Sequence, residues 1–193
     1  MPPILPVTKA LLLACVGVFC LFKIFPGYDL PFELWPVQSG RFQPWQVLSY
    51  AFLHAGWDHL FFNMLGLFMF GNELEQFWGW KRYLQILVAS TLSAAAVQLI
   101  FTFLIGAFSP TVGISGAIFG LLLSFGMFFP DRIIVPLIPP IPMKAKYFVA
   151  IYGALELWLG YSQGRGGGVA HFAHLGGMLG AYLLIRYWRA VRR

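Results

Sequence analysis

The sequence predicts an all-α membrane protein, a bundle of six transmembrane helices with a short central fourth helix that begins at Ser115. Two observations predict this fold class. The composition is 59% hydrophobic and only 10% charged, with a mean hydropathy of +0.74, whereas soluble domains carry about 25% charged residues. Six apolar stretches of helical length follow one another, separated by segments rich in glycine, proline or charge.

The six helices make residues 1–193 a single membrane domain. The first could be mistaken for a signal peptide because Lys9 precedes its apolar run. It lacks a convincing small-residue cleavage site and five more spans follow, so we expect it to remain uncleaved. The predicted helices cover approximately residues 8–25, 57–72, 82–107, 115–129, 146–161 and 170–188.

The fourth helix is too short to cross a bilayer, since Pro130 and Asp131 end it. Its fifteen residues span about 22 Å, whereas the hydrocarbon core is roughly 30 Å thick. We therefore expect Ser115 to lie below the membrane surface, reached by irregular backbone. Such backbone is tolerated at depth only when protein shields it or when it lines a wet cavity, and a hydroxyl group placed there suggests chemistry.

The basic residues predict the orientation. With the N-terminus inside, ten lysines and arginines lie on the inner side and three on the outer side. Both termini are therefore expected to face the cytoplasm. The net charge of +6 is better explained by this bias than by nucleic-acid binding, because no basic run is interleaved with stacking aromatic residues.

Two loops differ from ordinary connections. Residues 26–50 are long and rich in aromatic residues and proline, which is typical of a loop lying at the outer interface. Residues 160–168 consist almost entirely of glycine and polar residues. The second loop is interpreted either as a flexible linker or as a mobile cap over an outward-facing site.

Polar side chains converge at one depth of the predicted bundle. The second, fourth and sixth helices all begin at the outer face, and the polar residues cluster near their starts. Scattered polar groups that served fold stability alone would not share one level. The cluster consists of His54, His59, Asn63, Ser115, His171 and His174.

Faces of small residues are expected to bring two of these helices together. Gly116, Gly120 and Ser124 repeat every four residues on the fourth helix, and the sixth carries Ala173, Gly177 and Ala181 in the same spacing. Small-xxx-small faces let membrane helices approach closely. Docking them would bring Ser115 within reach of His174, each one residue from its small face.

Ser115 and His174 have the chemistry of a nucleophile and its base. A neutral imidazole can accept the hydroxyl proton, and His59, Asn63 and the amides at the start of the fourth helix could stabilise the resulting oxyanion. No acidic residue neighbours either histidine of the sixth helix in sequence, so a dyad is favoured over a triad. Glu156, an acid in the middle of the fifth helix, is a functional suspect, but a packing role is favoured for it.

Three motifs in this order resemble the rhomboid intramembrane serine proteases in their minimal six-helix bacterial form. They are His54-x4-His59-x3-Asn63, Gly113-x-Ser115-Gly116, and Ala173-His174 followed by Gly177. The resemblance covers nearly the whole chain. The serine element differs from the G-x-S-x-G elbow of soluble hydrolases, which follows a strand.

The resemblance implies a role for each site residue. Ser115 corresponds to the nucleophile and His174 to the general base, while His59 and Asn63 correspond to the oxyanion site, flanked by Gly113 and Gly116. The resemblance gives supporting roles to four further residues: a structural histidine, an aromatic residue that packs on the base, a close-packing glycine and an acid at the inner end of the second helix. In that order they are His54, Phe119, Gly177 and Glu75. His171 is not assigned by the resemblance, and a supporting place near the base is favoured for it over a catalytic role. One departure is Gln46, since the family often has arginine after the tryptophan of the first loop.

The resemblance also implies substrates and location. Substrates would be single-span transmembrane proteins in the lipid bilayer of the bacterial inner membrane, cut through an acyl-enzyme at a site that opens to the non-cytoplasmic side. No cofactor and no metal are expected.

Two alternatives stay open. A catalytically inactive protein of the same fold would bind membrane segments without cutting them, although such relatives usually lack the serine or the histidine. A metal site or transporter would use the four histidines, and the His171-x2-His174 spacing is compatible with ligation. No HExxH motif is present, however.

Overall fold

The computed structural model describes residues 3–137, 139–163 and 170–191, and this part of the chain is mostly α-helical. A short two-stranded hairpin precedes the helix that begins at Ala145, with Ile133 of one strand paired to Lys144 of the other. The helices are α1 (Pro6–Ile24), α2 (Gln46–Ser49), α3 (Trp57–Gly66), α4 (Asn72–Trp78), α5 (Trp80–Ile105), α6 (Ser115–Phe128), α7 (Ala145–Gln163) and α8 (His171–Val191), and the strands are β1 (Ile133–Ile134) and β2 (Met143–Lys144).

The second predicted helix is longer than the sequence pattern indicated. α3 passes through a π-helical segment, Leu67–Gly71, directly into α4. The continuous helix therefore ends at Trp78 rather than near residue 72, and Gly79, at φ 75°, provides the left-handed backbone that ends it. The polar residues after position 71 hid this extension, because they interrupt the apolar run without interrupting the helix.

Three helices, α5, α6 and α8, form the centre of the molecule. The faces of small residues do bring α6 and α8 together: a Cβ added at Gly116 would lie 3.4 Å from the carbonyl oxygen of Ala173. A second close approach joins α8 to α5, where a Cβ added at Gly176 would lie 2.8 Å from the carbonyl oxygen of Ser93. α6 is thereby enclosed, in keeping with its largely buried sequence.

The structure describes the first of the two unusual loops in full and only the beginning of the second. Residues 26–50 contain two 3₁₀ turns and α2, and Leu34 forms an antiparallel bridge with Thr111 just ahead of α6. This long loop therefore supports the backbone that leads to Ser115. The glycine-rich cap predicted at residues 160–168 lies mostly outside the described residues, and its first part belongs to α7, which runs to Gln163.

Two helices of the described chain are long and apolar enough to cross a membrane by length and composition, α1 and α5. Only 17% of the apolar window of α1 is buried, and its large side chains, such as Leu13, point outward. α6 is an apolar helix below that length.

Candidate active site

The turn before α6 depends on a glycine. Gly113 has φ 117°, a left-handed conformation that side-chain-bearing residues rarely adopt. Its amide donates a hydrogen bond of 2.9 Å to the carbonyl of Tyr50, which ties the turn to the end of the long first loop. Ser115 follows as the first residue of the helix.

Ser115 and His174 are in direct contact. The Oγ of Ser115 lies 2.7 Å from Nε2 of His174, and the imidazole is only 7% exposed. The Phe119 ring stacks on the imidazole with a centroid distance of 4.3 Å and an interplanar angle of 6°. The base is therefore held on one face by an aromatic ring from the same helix that carries the serine.

Glu156 also contacts the base. Its Oε2 lies 2.8 Å from Nδ1 of His174 and 2.6 Å from Nδ1 of His171. All three residues are buried. A packing role was expected for Glu156 because no motif of the family includes it, and a dyad was expected because no acid stands beside these histidines in the chain. The available signal was an ionisable residue in the middle of an apolar helix.

His59 and Asn63 approach the same turn from α3. A Cβ added at Gly113 would lie 2.6 Å from Nε2 of His59 and 3.5 Å from Nδ2 of Asn63. The Nδ1 of His59 accepts a 3.4 Å hydrogen bond from the amide of Ala55, so in the neutral ring Nε2 carries the proton. The Nδ2 of Asn63 is buried and has no hydrogen-bond partner among the described residues. Two donors therefore point toward the turn that precedes Ser115.

His54 lies apart from the serine. Its ring packs edge-on against His59 with centroids 5.2 Å apart. Burial, followed by the neighbouring His59 ring, lowers the pKa of His54 to about 4. The His54 ring is therefore neutral at neutral pH, and it packs against His59.

A cavity of about 940 Å³ connects these groups, and its wall includes His59, Asn63, Ser115, Phe119, His171 and His174.

Glu75 is remote from this cavity. That carboxylate accepts hydrogen bonds from the amides of Val7 and Thr8 and from the Thr8 hydroxyl, at 2.8 to 2.9 Å. Glu75 thus caps the first turn of α1, where helix amides have no intrahelical acceptor.

The histidines do not form one four-residue cluster in the described part of the chain. His54 and His59 pack on each other, whereas His171 and His174 share Glu156. The potential ligand atoms of Glu156, His171 and His174 lie within 4.8 Å of one another. This trio replaces the four-histidine site considered from the sequence.

Comparison with known proteins shows which proteins this chain resembles. The chain is 28% identical over 186 residues to a protein from Serratia proteamaculans named rhomboid protease GlpG. Proteins of the same name from Yersinia pestis and Yersinia enterocolitica are 27% and 26% identical. Each alignment covers 95% of this chain and 62% of the relative, so the chain spans about three fifths of the length of these curated relatives.

A family model described as the rhomboid domain matches residues 41–190, a range that begins in the first loop and ends near the last residue of α8. It contains every residue of the cavity wall named above, together with Gly113 and Glu156. Because this match covers most of its length, the chain belongs to the rhomboid family.

Proposed function

We propose that this protein is a serine endopeptidase that cleaves transmembrane protein substrates within the membrane. The observation that carries the proposal is the 2.7 Å contact between Ser115 Oγ and His174 Nε2 at the wall of the cavity. The name of the relatives, rhomboid protease, agrees with it.

The proposed reaction uses Ser115 as the nucleophile. His174 Nε2 takes the hydroxyl proton while Oγ attacks the carbonyl carbon of the substrate peptide bond. The carbonyl oxygen becomes an oxyanion, toward which His59 Nε2–H and Asn63 Nδ2–H donate. The imidazolium then gives its proton to the leaving amine, and water attacks the acyl-enzyme with His174 again as the base.

Asn63 Nδ2, which has no hydrogen-bond partner in the part of the chain that the structure describes, supports this assignment. A buried amide without a hydrogen-bond partner costs about 1–3 kcal/mol, and few native side chains are left in this state. An oxyanion bound beside Gly113 would provide the missing acceptor. A side chain at Gly113 would collide with the His59 ring, so the glycine keeps the backbone close to both donors.

We infer a membrane orientation in which α1, α3 with α4, α5, α6, α7 and α8 are the six spans and both termini face the cytoplasm. The distribution of lysine and arginine supports it. The site would then open to the non-cytoplasmic side of a bacterial inner membrane. An N-terminal tag should be shielded from protease added to spheroplasts, and its digestion there would contradict this orientation.

The proposed substrates are single-span membrane proteins whose helix unwinds near the outer face. A helical peptide bond is shielded by its own hydrogen bonds and side chains, so an extended segment must enter the cavity. The cavity wall offers apolar rings such as Phe62, Phe70 and Tyr152 beside the polar site, a mixture suited to an unwound apolar segment.

Substitution of the serine tests the proposal. Ser115→Ala should abolish cleavage of a model single-span substrate in liposomes, because it removes the nucleophile. Ser124→Ala is the matched control, because this buried hydroxyl of the same helix donates to the carbonyl of Gly120, at 2.8 Å, and does not line the cavity. The Ser124→Ala variant should cleave the substrate at a rate within about twofold of that of the unaltered protein. Full cleavage by Ser115→Ala would overturn the assignment.

A further inference from the structure

A buried carboxylate lies behind the base on the side away from the serine. Glu156 is 8% exposed, and its Oε2 lies within hydrogen-bond distance of two imidazole nitrogens. An ionised side chain in an apolar helix is costly unless it is paired. The contacts with His171 and His174 supply that pairing.

These contacts define which nitrogen of His174 carries the proton. A carboxylate only accepts hydrogen bonds, and both short contacts use the same oxygen atom, so both Nδ1 atoms donate to it. In neutral His174 the proton therefore stays on Nδ1. The lone pair of Nε2 then faces the Ser115 hydroxyl at 2.7 Å, which is the tautomer a general base requires.

The distances favour hydrogen bonds over a metal ion. Two ligands of one tetrahedral zinc, each about 2.0–2.1 Å from the ion, are about 3.3 Å apart. The separations between Oε2 and the two Nδ1 atoms are 2.6 and 2.8 Å, too short for both to bind one ion at that angle.

We propose that Glu156 is a positioning residue for the proposed protease reaction, which converts the Ser115–His174 pair into a Ser-His-Glu triad whose acid comes from α7. This inference rests on the proposed function. The carboxylate holds the imidazole in its Nδ1–H tautomer and balances the imidazolium that forms when Nε2 takes the Ser115 proton. The Nδ1 proton stays on the ring throughout, and the transferred proton leaves from Nε2 to the amine product.

His171 gives the carboxylate a second fixed donor. Its Nδ1 lies 2.6 Å from Oε2, and its ring stands perpendicular to that of His174, with centroids 6.3 Å apart. Two histidines of α8 therefore hold the Glu156 carboxylate, which belongs to α7. The carboxylate oxygen is positioned by His171 and in turn positions His174.

The first test is Glu156→Gln, which keeps the size of the side chain and removes its charge. Its carbonyl oxygen can still occupy the position of Oε2 and accept from both Nδ1–H groups, so the substitution tests the negative charge that balances the imidazolium. We expect kcat to fall by roughly 10²- to 10⁴-fold, as for loss of the acid in a triad, with KM within about threefold. Labelling of Ser115 by a fluorophosphonate should slow by a similar factor, since that reaction needs the base but no bound substrate.

Glu75→Gln is the matched control, because it replaces a second buried glutamate remote from the cavity. It should lower thermal stability in detergent while the folded fraction keeps its kcat. If Glu156→Gln keeps kcat and labelling within about threefold while Ser115→Ala is inactive, the triad is wrong and the proposed protease stands. Activity of Ser115→Ala would instead overturn the protease assignment itself.

A second measurement does not depend on the variant folding. Nitrogen-15 NMR of the imidazoles in the unaltered protein, with the His174 signal assigned by its loss in His174→Asn, should show the proton on Nδ1. A proton on Nε2 of neutral His174 would contradict the inference. Stoichiometric zinc in the purified protein, removed by a chelator with a change in rate, would also overturn it.

Discussion

At the residue scale, buried polar side chains are fitted to specific backbone groups. Gln46 is fully buried where the family often has arginine, and its amide makes four hydrogen bonds. Its Oε1 accepts from the amides of Trp35 and Gln43, and its Nε2 donates to the carbonyls of Pro31 and Arg41, at 3.1 to 3.2 Å. A neutral amide therefore braces the first loop of this chain without a buried cation.

Substitution of Glu75 should lower the stability of the protein. Its carboxylate accepts from two backbone amides and one hydroxyl at the start of α1, and it is 3% exposed. In Glu75→Gln an NH2 group would face N–H donors, which costs about 1–3 kcal/mol. Thermal unfolding in detergent should show a lower midpoint.

Glu73→Gln is the comparison for that measurement. Glu73 pairs with Arg132 at 2.9 Å, with side-chain exposures of 33% and 56%, and exposed pairs contribute about 0–1 kcal/mol. Equal losses of stability from the two substitutions would contradict the capping role of Glu75.

At the element scale, close helix packing brings the candidate site together. The four-residue spacing of small residues predicted the contact between α6 and α8, because small-xxx-small faces permit close approach. The approach of α5 to α8 was not predicted, since Ala89 and Ser93 of α5 do not stand out in a uniformly apolar stretch. A Cβ added at Gly180 would lie 2.6 Å from that of Ser93.

Gly177→Ala tests the packing of α6 against α8. The added Cβ would overlap the carbonyl of Gly116, and backbone atoms cannot rotate away as a flexible side chain can. We expect a loss of about 1–3 kcal/mol, as for overpacked cores, and slower fluorophosphonate labelling because the serine and the base move apart. Thermal unfolding and labelling rates measure the two effects.

Gly17→Ala in α1 is the control, because an added Cβ there meets nothing within 4 Å. A helical alanine is more favourable than glycine by roughly 1 kcal/mol, so this variant should be as stable as the original protein or more so. Unchanged stability and labelling in Gly177→Ala would show that α6 and α8 are not in such close contact.

At the scale of the whole molecule, chain order and composition could predict more of the fold than of the site. The positions of the long helices and the start of α6 could be predicted from hydropathy, proline and glycine. The predicted residues of the cavity wall lie near the starts of three helices, and this position distinguished them in the sequence. The contact of Glu156 with His174 could not be predicted in this way. It depends on the rotation of α7 about its own axis, which the weakly patterned sequence of that helix does not reveal.

Intact-protein mass spectrometry can show whether Ser115 is a nucleophile that His174 activates, as we propose. After reaction with a fluorophosphonate, the protein should gain the mass of one phosphonyl group, located on Ser115 by peptide sequencing. The same incubation of His174→Asn should give little or no adduct. The proposed activation of Ser115 by His174 would be contradicted by an unmodified Ser115, by an adduct on another residue, or by equal labelling without His174.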